Sequence, residues 1–147
     1  MEKKLLAIII SVAVGVTTIT GCGNKYESYV KFVDPNKGGL NCFDAEEGDK
    51  IEFVGELALD KREGYSEIMI SNTVDTGKNK YPVFALVYFD NTDLKLETIA
   101  KLKVMDQESD SFDRADVIIK GTYGSRRCYE DDMIYYDCII VDEIEFK

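Results

Sequence analysis

The chain has 147 residues, 45% of them apolar, and its 28 acidic side chains outnumber 18 basic ones for a net charge of −10. That acidity argues against a nucleic-acid partner, whose phosphates are held by Lys and Arg, and the apolar share argues against a disordered chain. There is no His and no Trp, so Ser-His-Asp and Cys-His activation and imidazole metal ligation are excluded. Catalysis would have to rest on carboxylates, Tyr, Lys or Cys, and no cofactor is expected.

The first element in chain order is an address. Lys3 and Lys4 precede a nearly unbroken apolar run over 5–16, and Ile19, Thr20 and Gly21 then lead to Cys22. A positive start, a short apolar stretch and small residues form the layout of a secretory signal. The run falls short of the roughly 20 apolar residues that a spanning helix needs. The segment resembles a bacterial lipoprotein signal, with small Gly21 before the cysteine and aliphatic Ile19 three residues before it. That resemblance implies that Cys22 carries a diacylglycerol and, after cleavage, becomes the N-terminus. Two or three acyl chains hold a protein stably to a membrane where one does so only marginally.

The expected organisation is therefore a cleaved signal helix over 1–21, a lipidated N-terminus and tether over 22–48, and a domain over 49–147. Loss of 1–21 takes Glu2, Lys3 and Lys4 with it, moving the charge from −10 to −11 over 126 residues. The location expected is extracytoplasmic, lipid-anchored to the bacterial cell membrane. In a host with two membranes Gly23, not being Asp, resembles the pattern for outer-membrane sorting.

Three further cysteines, Cys42, Cys128 and Cys138, allow at most one internal disulfide. Cys128 with Cys138 is the candidate pair, against the objection that a turn centred on Asp131 and Asp132 places Cys128 opposite Tyr135. The tether is punctuated by Pro35, Gly38 and Gly39, and 29–33 reads as a short strand or helical turn that docks on the domain.

From residue 49 the apolar period becomes two. Ile51, Phe53, Leu57 and Leu59 share one face and Glu52 and Glu56 the other, a half-buried strand over 51–59. Gly55 within it signals a bulge or sharp bend. Strands over 65–71 and 83–89 follow, separated by a turn-rich 72–80, and the second of them reads as buried on both sides. Asn91, Thr92 and Asp93 offer an N-cap to a helix over 94–105. An acidic loop over 106–116 leads to strands over 117–123 and 133–141, the last extended through 142–147.

Three strands, a helix and a hairpin make the fold class mainly β, in the order of a five-stranded OB-like Greek-key barrel with one short helix, with a β-sandwich of other topology as the alternative. Residues 50–57 with Gly55, the buried third strand, 117–121 and 137–140 resemble the OB-type domain of small bacterial lipoproteins, which is similar to tRNA-anticodon-binding domains. The resemblance is to a fold, and the acidity departs from the nucleic-acid-binding relatives.

An OB-fold takes ligands on the face of its second and third strands and between its first and last hairpin loops. The candidates there are Tyr65, Tyr81, Tyr88 and Tyr123, with Arg126, Arg127 and Tyr129, which could stack on and hold a glycan, a peptide carboxylate or a nucleotide. The competing reading is that Tyr is a good strand residue with a wet end. Asp106, Glu108 and Asp110, continued by Asp113 and Asp116, resemble the start of a calcium loop. Ser111 stands where its glycine belongs and Val117 where its glutamate belongs, so a solvated acidic loop is the reading and no metal is expected.

The function expected is a non-enzymatic, membrane-anchored binding module of the cell envelope. Its partners would be the membrane, through the lipid, and an envelope protein or glycan, with no nucleic acid. The alternatives are a structural or surface-exclusion role without a specific ligand, and a carboxylate-based hydrolase.

Overall fold

The structure, a computed structural model, describes residues 25–34, 36, 37, 41–61, 67–105, 111–128 and 135–147, with the side chains of 125–128 and 135 outside the description. The signal, Cys22 and the loop carboxylates Asp106, Glu108 and Asp110 lie outside the described residues, and so do Tyr65 and Tyr129.

Among the described residues the fold is mainly β, with one six-stranded sheet and one α-helix. A two-residue strand β1 (Glu27–Ser28) and a 3-10 turn over Tyr29–Phe32 precede β2 (Lys50–Asp60), β3 (Ile68–Asp75) and β4 (Lys80–Tyr88). Helix α1 (Thr92–Met105) leads to the long hairpin of β5 (Phe112–Cys128) and β6 (Tyr135–Phe146). The order of strands, helix and hairpin is the one expected. The sheet runs β1-β2-β3-β4-β6-β5, and β5 pairs back onto β2 from Asp60↔Phe112 to Lys50↔Thr122. The pairings of β2, β3, β4, β6 and β5 thus form a closed circuit. All are antiparallel except β4 with β6, which run parallel at Leu86↔Cys138 through Tyr88↔Ile140.

The core lies inside this circuit. Ile51, Phe53 and Leu57 of β2 meet Ile70, Val83, Ile119 and Ile139 there, all fully buried, as the period-two pattern requires. Asn91 caps α1, its Oδ1 accepting the Leu94 N–H at 3.1 Å. Leu102 then delivers a buried side chain from α1, which packs against β5 and β2.

Boundaries differ from expectation where polar residues occupy strands. β3 continues through Val74, whose side chain is buried, and reverses in a tight turn over 76–79. Gly77 supplies the left-handed φ of +81° in that turn, and its N–H donates to Asp75 at 2.8 Å. β4 takes in Pro82, which is tolerated because β6 joins β4 only from Leu86 onward. β5 starts at Phe112 and not after 116, because Asp113 and Ala115 continue its inward face.

The segment read as a tether also joins the core. Tyr29 stacks on Phe53 with ring centroids 4.2 Å apart, and Phe43 lies 6.0 Å from Phe53 and 6.2 Å from Tyr123. Cys42 and Phe43 are fully buried, and an antiparallel bridge joins Val33 to Phe43. The packed unit therefore reaches back to residue 26, ahead of the start expected at 49. Among the described residues no helix is long and apolar enough to cross a membrane.

Candidate functional site

A surface feature arises where β3 parts from β2. Their ladder ends at Glu56↔Ser71, and beyond it the Asn72 side chain bridges the gap, its Nδ2 donating to the Val54 carbonyl at 2.6 Å. Gly55 permits this approach, since a Cβ there would lie 2.3 Å from the Ser71 carbonyl oxygen. The bend read from Gly55 is thus a close backbone contact.

Two adjoining hollows of about 500 and about 210 Å³ open on the outer face here and share Glu56, Ser71 and Phe84. Met69 and Phe112 extend the apolar floor of the smaller hollow. Glu56, Asp60 and Glu67 line that hollow and Asp116 the larger one, against Arg114 and Lys147 as the cations. Arg114 donates to Glu56 at 3.1 Å and lies over the Phe112 ring, 5.2 Å from its centroid. An aromatic floor under a rim lined by more carboxylates than cations suits a ligand that is cationic and partly apolar.

The residues singled out from sequence lie elsewhere. Tyr123 is buried, donating its O–H to Asp137 Oδ1 at 2.7 Å, and so belongs to the core and not to a surface. Tyr81 and Tyr88 stand at opposite ends of β4, about 23 Å apart at strand rise, and on opposite faces because their separation is odd. Tyr81 accepts a hydrogen bond from Asn79 at 3.0 Å, and Tyr88 borders a separate hollow of about 200 Å³ with Leu86, Phe89 and Lys95. Arg126 and Arg127 sit in register with Asp137 and Tyr136 on the hairpin.

Of the five carboxylates of the acidic stretch, the two described do not converge. Asp113 points inward to Lys61, 3.1 Å away, whereas Asp116 is exposed on the outer face. Among the described residues no three His, Cys, Asp or Glu side chains group to hold a metal ion. Cys128 pairs with Tyr135, the register expected of a turn at 131–132. Burial, and then the Asp137 carboxylate, pushes the Cys42 thiol up to about 11, which keeps it protonated at neutral pH.

A polar cluster on the outer face of β2, β5 and β6 gathers around Asp142. Its Oδ2 accepts from Tyr26 Oη at 2.9 Å, Lys50 Nζ at 2.9 Å and Thr122 Oγ1 at 3.3 Å. Lys50 and Lys120 flank the Tyr26 ring at 5.6 and 5.9 Å. Partial burial first, and then the hydrogen bond to Asp142, pushes the Tyr26 phenol up to about 12. Burial alone would raise Asp142, but the bonds from Lys50 and Tyr26 prevail and hold it below the ordinary carboxylate range.

Sequence reading passed over Phe84, Phe112, Arg114 and Tyr26. Phe84 was hidden in a run read as buried on both sides, and the odd-even alternation of β4 was the signal that separates it from Val83 and Ala85. Phe112 and Arg114 fell in a stretch read as loop. Comparison with protein-family models, curated proteins and solved structures gave no match.

Proposed function

We propose that this chain is a lipid-anchored extracytoplasmic binding module without catalytic activity, built on an OB-type Greek-key barrel. Support for the barrel comes from the closed pairing circuit, the parallel β4–β6 contact and the helix that precedes the last two strands. Support for the anchor comes from the lipoprotein-like signal that ends at Cys22. The observation that carries the binding reading is the groove over Glu56, Ser71 and Phe84, with aromatic rings below and a rim lined by more carboxylates than cations. The partner is a protein segment bearing Lys or Arg between apolar residues, matched in charge to a chain of net −11 over 22–147.

Binding is tested with extended peptides that alternate Lys and Val, set against the same peptides with Glu in place of Lys, by fluorescence anisotropy over a salt series. Basic peptides bind, added salt weakens them, and Phe84→Ala abolishes capture with the melting temperature retained. Equal affinity for both peptide series would sink the proposal. The anchor is tested by intact-mass analysis of protein from native membranes beside a Cys22→Ala variant, where a cleaved, acylated species is expected only with Cys22 present.

A further inference from the structure

We infer that Tyr26 latches the domain to its lipid anchor so that the Lys50–Asp142 end of the strand circuit faces the membrane and the groove faces away from it. This rests on the lipidation of Cys22 proposed above. Only Gly23, Asn24 and Lys25 separate Cys22 from Tyr26, a span of at most about 14 Å when fully extended.

From Tyr26 onward the chain has no slack. The phenol donates to Asp142 at 2.9 Å, Glu27 and Ser28 pair with Ile51 and Glu52, and Tyr29 stacks on Phe53 at 4.2 Å. The leash therefore ends on the start of β2. The groove lies along the other half of the same strands: Glu56 is six residues from Lys50 on β2, and Arg114 eight from Thr122 on β5. At strand rise these are about 20 and 26 Å of strand, and Val54, the lining residue nearest Lys50 on β2, is about 13 Å from it.

At the latched end Lys31, Lys50 and Lys120 stand at ion-pair distance from Glu27, Asp142 and Glu143. The short leash presents the groove to partners arriving from the side away from the membrane.

The test uses the full chain, processed in its membrane and reconstituted in nanodiscs containing a gadolinium-chelating lipid, after intact mass has established the lipid on Cys22. Amide signals of Ile51, Glu52 and Glu143 are expected to relax several-fold faster than those of Ala58, Ser71 and Arg114. A flexible Gly-Ser repeat inserted between Asn24 and Lys25 leaves lipid and fold in place and is expected to erase the difference. Equal relaxation at the two ends, or a pattern that survives the insertion, overturns the orientation while leaving the anchor standing. Unmodified Cys22 overturns both.

Discussion

Asp137 is fully buried and accepts the Phe43 N–H at 3.1 Å and the Tyr123 O–H at 2.7 Å. It ties the segment before β2 to the β5–β6 hairpin from inside the core. Removing one hydrogen-bond partner of a buried polar group costs about 1–3 kcal/mol. Tyr123→Phe is accordingly expected to lower the unfolding free energy by that amount, read from the urea midpoint. An unchanged midpoint would show that the carboxylate is satisfied without the phenol. Gly55 acts by what it lacks. In Gly55→Ala the new methyl meets a backbone oxygen at 2.3 Å, so a strand must move and not merely a side chain. A loss of about 1–3 kcal/mol is expected, with amide shift changes centred on Ser71 and Asn72.

Among the elements, the N-terminal segment holds through the Tyr26–Asp142 contact, whose strength depends on pH at both ends of the scale. Tyr26 is raised to about 12, so its contribution is fully present below pH 10 and is lost as pH climbs through 12. Asp142 is depressed, so its contribution is present above the ordinary carboxylate pKa and is lost as pH falls through its own lower value. Carbon NMR of the tyrosine Cζ positions is expected to give Tyr26 a midpoint of about 12 that moves down in Asp142→Asn. A midpoint near 10 in the parent chain would mean that the contact is absent in solution. The elements themselves were legible where alternation was strong, as in β2, β4 and β6, and where a cap was written into the chain, as at Asn91. Strand ends were not legible where polar residues paired. Asp113 reads as loop until Lys61 is seen 3.1 Å from it, because a strand register is a relation between distant segments. The groove was illegible for the same reason: Glu56, Phe84 and Arg114 come from three strands and no local pattern joins them.

For the molecule as a whole, the stretch read as tether is part of the folded unit. Tyr29, Cys42 and Phe43 are buried, and loss of a core Phe alone costs about 3–5 kcal/mol against a total stability of about 5–15 kcal/mol. A chain that begins at residue 49 is thus expected to lose its cooperative melt and its near-ultraviolet circular dichroism at temperatures where the longer chain is folded. Retention of both would confine the folded domain to 49–147. What the sequence determined by itself was the mainly β class, the succession of strands, helix and hairpin, and the net acidity. Those follow from periodicity, caps and charge, which are properties of neighbouring residues or of simple counts. Only the tertiary structure decided that β5 pairs back onto β2, that Tyr123 serves the core, and that Tyr26 sits at the Lys50 end of β2 while the groove runs along it from Val54 onward. These depend on pairings between segments tens of residues apart, and such pairings are selected by the burial of shared faces and not by any local preference.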